Sequence, residues 1–196
     1  MLDQNNEIRR LLDLMSAGGR MHTKIISKPN QSKVIDFTFP LPWNRKIKPI
    51  YINFDLWQKL SRPQRDLILL RSVSWLTGVK WFKPNLYQGL TLVSLAGMTT
   101  EFIQGDAVGV ILAGGLTAIS LNQIWLKNRS QEREIEADEE ALKIAIRRGY
   151  DEQSAVKSLL LGLTLIAEIE GRSGLNFGEL LRVQNLKVKV ISSVEN

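Results

Sequence analysis

Arg133-Glu134-Ile135-Glu136-Ala137-Asp138, running on through Ala141-Leu142 to Arg148-Gly149-Tyr150-Asp151, decides the fold class of this chain. Residues four apart on a helix share one face, so Glu134 and Asp138 project together from a single helix. Gly149 supplies the backbone freedom that ends such a helix, and Asp151 is placed to cap the next. That next helix is predicted through Ala155 to Leu161 and on to about Glu170. The turn Gly171-Arg172-Ser173-Gly174 follows, and Asn176-Phe177-Gly178-Glu179 opens a last short helix. Lys187-Val188-Lys189-Val190-Ile191 reads as a strand or a loose tail. Two readings of the acids stay open: a wet helix face shared with Glu132, Glu136, Glu139 and Glu140, or a carboxylate pair that needs a cation.

Upstream, Leu67 to Leu76 is an apolar helix, and Ser61-Arg62-Pro63-Gln64 opens it with capping-box chemistry. Before it, Val34 to Phe39 and Ile50 to Phe54 are β-branched and aromatic, separated by the breaker Pro40-Leu41-Pro42-Trp43-Asn44. They predict a small two-stranded unit within residues 33–54. Glu7 to Met15 is an amphipathic helix that Gly18-Gly19 is expected to stop, so residues 1–20 form an N-terminal arm. Trp43, Trp57, Trp75 and Trp81 are expected to serve as core or as anchors.

The chain has 196 residues, 44% hydrophobic content, no cysteine and one histidine. That suffices for one domain with a sizeable core and rules out disulfides and thiolate metal sites. His22 is expected in a loop. The net charge of +6 is uneven, the part up to Lys83 being basic and the remainder acidic. The cations are scattered, without the stripe or the aromatic motif of a nucleic-acid module, so no nucleic-acid partner is expected. An anionic membrane surface accounts for the asymmetry.

Between Lys83 and Glu101 there is no charge, nor is there any from Ala107 to Leu126. About 20 helical residues span the ~30 Å hydrocarbon layer. Residues 84–126 are therefore expected to form a hydrophobic hairpin. Lys80 and Lys83 stand on one side of it, Lys127 and Arg129 on the other, with Trp81 and Trp125 near the interfaces. Gly105, Gly109, Ala113 and Thr117 form a small-residue stripe for close helix contact. The polar residues Gln88, Ser94, Thr99, Thr100, Asn122 and Gln123 keep two further readings open: shallow insertion, or a soluble helical core. The amino end has no apolar secretory core and is expected to stay cytoplasmic.

The RExxAD stretch with its GYD turn resembles the third-ligand helix of HtpX and Oma type zinc peptidases, whose first two ligands come from an upstream HExxH helix. Here the matching helix places Arg71 at the first histidine, Ser72 at the general base and Trp75 at the second histidine. Guanidinium and indole do not ligate zinc. No metal and no cofactor are expected, and the degenerate site comprises Arg71, Ser72, Trp75, Glu134 and Asp138. Arg71 is predicted to take the metal's electrostatic place against Glu134, Asp138 or both. The implied fold is mainly α (α+β): one domain over residues 1–196, with gluzincin-peptidase-like topology and a central hydrophobic helical hairpin. Residues 61–83 form the degenerate helix and residues 130–186 the RExxAD-like and C-terminal helices.

Further stretches resemble a family of unknown function from cyanobacteria and plastids, of similar length. They are Leu11 to Met15, Phe39 to Trp57, Leu60 to Asp66, Ser74 to Pro84, Gln104 to Gly109 and Ile169 to Arg172. This resemblance implies a photosynthetic source and a thylakoid or plasma membrane. The expected role is a non-catalytic protein on the cytoplasmic face, binding membrane lipid and a membrane protein complex as an assembly or quality-control factor. The alternatives are an enzyme or metal-binding protein using Glu134 and Asp138, and a soluble scaffold.

Overall fold

In the computed structural model, which describes residues 3–39, 47–78, 86–104, 107–128 and 131–192, the chain is mainly helical with one small sheet. It runs α1 (Gln4–Leu14), α2 (Ala17–His22), β1 (Thr23–Ser27), β2 (Ile35–Phe37), β3 (Lys48–Ile52), α3 (Phe54–Trp57) and α4 (Arg62–Gly78). Then follow α5 (Leu86–Gln104), α6 (Ala107–Asn128), α7 (Gln131–Arg147), α8 (Glu152–Ile169) and α9 (Phe177–Ser192). Residues 1–78 and 134–196 make one compact unit, and residues 79–133 a second.

Helix α4 is the centre of the first unit. Its residues Leu67, Leu69, Leu70 and Leu76 are fully buried, and apolar side chains occupy all its faces, the pattern of a helix enclosed by neighbours. Ser61 N–H donates to Gln64 Oε1 at 2.8 Å, the reach-back half of the predicted capping box. At the other end Lys48 Nζ donates to the Leu76 carbonyl at 2.7 Å, a cation on the negative end of the helix. Burial there pushes the Lys48 amine below its ordinary value. Helix α8 packs on α4 where Gly162 leaves room: a Cβ at that position would lie 3.2 Å from Ile68.

Four local expectations are corrected. The β unit has three strands in the order β1-β3-β2, with β1 parallel and β2 antiparallel to β3. The missed strand, β1, buries Thr23 and Ile25 and exposes Lys24 and Ser27, a period-2 pattern too short to stand out in the sequence. Gly18 and Gly19 do not stop the first helix. Helix α1 ends at Leu14, and the pair lies inside α2, which Ser16 caps through Gly19 N–H at 3.2 Å. Gly19 is needed for contact instead, since a Cβ there would meet Val73 at 2.7 Å. Lys187 to Ile191 is neither strand nor tail but the last turns of α9, whose Val183 and Leu186 are buried in the core. His22 is the last residue of α2 rather than a loop residue, with Nδ1 2.8 Å from the Gly18 carbonyl.

The second unit is α5 packed on α6, and its polarity is inverted. Thr91, Ser94 and Thr117 are buried, while Leu92, Val93, Ile103, Val108, Ile111 and Leu112 are exposed. Hydroxyls are satisfied within their own helices: Thr117 Oγ1 donates to the Ala113 carbonyl at 2.8 Å, and Thr99 and Thr100 donate to the carbonyls of Ala96 and Gly97. Among the described residues no helix is long and apolar enough to cross a membrane. This corrects the expected span: Ser94, Thr99, Thr100 and Asn122 interrupt the apolar runs. Lys80, Trp81, Lys83, Arg129, Gly105 and Trp43 lie outside the described residues, as do the side chains of Trp125 and Lys127 on α6.

Candidate functional site

Helix α4 carries Arg71, α7 carries Glu134 and Asp138 one turn apart, and α9 carries Arg182. The Arg71 guanidinium pairs with the Glu134 carboxylate, and its Nε lies 3.7 Å from Asp138 Oδ1. Arg182 donates from Nε and Nη2 to the two Asp138 oxygens, both at 2.7 Å, and its Nη1 lies 3.9 Å from Glu134. The pair to Asp138 is bidentate and charge-assisted, with side-chain exposure of 6% for Arg182 and 2% for Asp138. Glu134 is wetter, at 29%. In these pairs two guanidinium charges face two carboxylate charges, so each carboxylate has an arginine as its counter-charge.

Trp75 and Ser72 have other contacts. Trp75 packs on Phe37 and Phe39, with ring centroids 5.3 and 5.7 Å apart, and so fixes α4 against the sheet. The buried Ser72 hydroxyl donates to the Ile68 carbonyl one turn back, at 2.8 Å. These residues do not fit zinc: a guanidinium, an engaged hydroxyl and an indole replace two imidazoles and a base, and both carboxylates already accept from arginines. Among the described residues no group of three or more His, Cys, Asp or Glu side chains is placed to hold a metal ion. Arg182 was missed in the sequence; its signal was an arginine beside Val183 and in line with Leu186, on the core stripe of α9.

The Gly149-Tyr150-Asp151 turn is structural. Gly149 has φ +91°, Asp151 caps α8 by accepting from Ser154 N–H at 2.9 Å, and Tyr150 O–H donates to Asp66 at 2.6 Å. Burial, reinforced by that hydrogen bond, pushes the Tyr150 phenol up to about 12. Asp66 also meets Arg10 at 2.5 Å, and Arg10 makes two 2.8 Å bonds to the buried Glu7. Arg65 and Trp57 reach Glu7 at 2.9 and 3.3 Å. Burial raises the Glu7 carboxyl, but the hydrogen bonds and charge of Arg10, with Arg65 and Trp57, outweigh it and hold Glu7 below the usual carboxylate range. This second network ties α1, α3, α4 and the α7–α8 turn together.

The Ile169 to Arg172 stretch is a latch. Glu170 accepts the Val34 N–H at 2.9 Å, Gly171 takes φ +66°, and Arg172 makes a two-point bond to Glu179 at 2.8 and 3.0 Å. Asn176 and Glu179 exchange backbone and side-chain bonds at 2.9 Å to start α9. Between this latch, β2 and α4 lies an open cleft of about 310 Å³ that also borders Arg71, Ser72 and Arg182.

The chain is 31% identical over 113 residues to a protein of a Synechocystis species named thylakoid membrane protein slr1949, an alignment covering 56% of this chain and 53% of that protein. The chain thus spans about half the length of the curated relative it matches. No solved structure matches it, so the gluzincin-like topology has no structural neighbour behind it. Residues 9–150 match the family described as Protein of unknown function (DUF3318), well over half of the sequence, and the chain belongs to that family.

Proposed function

We propose that this chain is a non-catalytic, membrane-associated protein that acts by binding, as an assembly or quality-control factor for a membrane complex, with the α5–α6 hairpin as its lipid-contacting part. The observation that carries the reading is the inverted polarity of the hairpin: among its described side chains Thr91, Ser94 and Thr117 lie inside, while Leu92, Val93, Ile103, Val108, Ile111 and Leu112 lie outside. Water disfavours that arrangement and an acyl environment favours it, at ~1.5–3 kcal/mol for each large side chain removed from water. Contact without a span is shallow insertion of the hairpin into one leaflet. The excess of cations up to Lys83 suits the anionic cytoplasmic face of a thylakoid or plasma membrane. The name of the Synechocystis relative supports the same compartment. Catalysis through Glu134 and Asp138 is disfavoured because arginines already occupy both carboxylates.

The test is flotation of the purified chain with vesicles containing anionic lipid, after a carbonate wash. Wild type should float, and Ile111→Asp with Leu112→Asp, both at exposed positions, should lower partitioning at least about tenfold, since a charge placed among acyl chains costs up to ~2.5–3.5 kcal/mol. Equal flotation of the double variant, or no flotation of wild type, would overturn the reading.

A further inference from the structure

The cleft beside β2 has the makings of a peptide site. In the order β1-β3-β2, β2 is an edge strand, so one side of its backbone has no strand partner among the described residues. Ile35, Asp36 and Phe37, the whole of β2, line the cleft. Unpaired strand edges take up extended chains, and proteins that do not use them hide them. Just before β2, Val34 already gives its N–H to a non-strand partner, the Glu170 carboxylate at 2.9 Å. Across the cleft, Ile68, Leu163 and Ile166 supply an apolar floor from α4 and α8. The volume of about 310 Å³ falls at the lower end of the ligand-pocket range, enough for one or two side chains of an extended segment.

Charge narrows the occupant. Of the cations lining the cleft, Arg71 and Arg182 are neutralised by Glu134 and Asp138 behind them. What remains is Lys33 and Arg172 against Asp36, Glu170 and Glu179, an excess of one negative charge. We infer that this cleft binds an extended peptide segment of a partner protein, laid along the outer edge of β2, with an apolar side chain on the Ile68–Leu163–Ile166 floor and basic residues flanking it. The backbone edge supplies affinity that is independent of sequence, and the floor and the acidic excess select the side chains. This extends the binding role proposed above to a particular site, and it does so without any contribution from lipid.

The experiment uses the purified full chain in mild detergent and three fluorescein-labelled heptapeptides, read by anisotropy. They are Ser-Lys-Thr-Leu-Thr-Lys-Ser, the same peptide with Asp for Leu, and the same peptide with Glu for both Lys. The first should bind with Kd below about 1 mM, and each alteration should weaken it by at least about tenfold. Asp36→Lys is the protein-side test. Among the described residues Asp36 pairs with the exposed Lys33, at 2.8 Å, so the fold should tolerate the change while the basic peptide loses its affinity. No saturable binding of the first peptide, equal binding of the acidic one, or affinity unchanged by Asp36→Lys would overturn the proposal. Vesicles play no part in this readout, so its failure and a failure of the lipid reading are separable.

Discussion

Replacing Arg182 by Met tests the claim that opposed arginines and carboxylates balance the interior of the first unit. The change removes two hydrogen bonds of 2.7 Å from Asp138, whose side chain is only 2% exposed. Hydrogen bonds to charged groups contribute ~1.5–3 kcal/mol each, so the pair sets a range of ~3–6 kcal/mol. Arg71, with Nε 3.7 Å from Asp138, remains and holds the loss to the lower half of that range, ~3–4 kcal/mol. Asp138→Asn alone should cost a comparable ~3 kcal/mol, because it strands the Arg182 guanidinium. The double variant should cost at least ~2 kcal/mol less than the sum, since neither charge is then left without its partner. Arg71→Met should be milder, ~1–2 kcal/mol, because water reaches Glu134 at 29% exposure. Urea unfolding at pH 7, followed by tryptophan fluorescence, reads all of these, with Trp57 and Trp75 buried in the same unit. Losses at Arg182 and Asp138 that add within ~0.5 kcal/mol would refute the reasoning.

Two further outcomes are expected. Glu7→Gln should cost ~3 kcal/mol at neutral pH. Because the folded pKa of Glu7 lies below its ordinary 4.5, its contribution is complete above 4.5 and fades as pH falls through the folded value. The variant should therefore show a flatter loss of stability on acidification than wild type; parallel urea midpoints from pH 6 to 3 would contradict this. In α2, Gly18→Ala, whose Cβ meets nothing within 4 Å, should stabilise by ~0.5–1 kcal/mol, whereas Gly19→Ala, facing Val73 at 2.7 Å, should destabilise by ~1–3 kcal/mol. Thermal melts that rank the two variants the other way would contradict the packing argument.

What could be read from the sequence was what depends on neighbours along the chain. The turn at Gly149, the cap at Asp151 and the shared face of Glu134 and Asp138 each follow from spacings of a few residues. Placing Arg71 opposite those acids rested on the peptidase resemblance, and the structure brings the three together. Arg182 was out of reach, since it meets Asp138 across 44 positions and no local pattern marks one arginine on an apolar stripe as its partner. The same holds for β1, whose register with β3 is a non-local pairing. In α9, Val188, Val190 and Ile191 favour a strand locally, and the packing of Val183 and Leu186 on the core overrides that preference. The hairpin was read from its lack of charge, but which of its residues face inward depends on how α5 meets α6, and that places Thr91, Ser94 and Thr117 inside.

The first unit is assembled from two separate stretches of chain, with the hairpin between them. During synthesis α4 therefore leaves the ribosome with the face that α8 will cover still bare, and α8 is complete only at Ile169. At ~5–20 residues per second that interval lasts about 5 to 20 s. The hairpin emerges within the same interval, ahead of the helices that will close the body around α4. On the lipid-contact reading proposed above, the α5–α6 segment has its first opportunity to meet a lipid surface while α7 to α9 have still to emerge, and the first unit would then fold on a chain whose middle is already held.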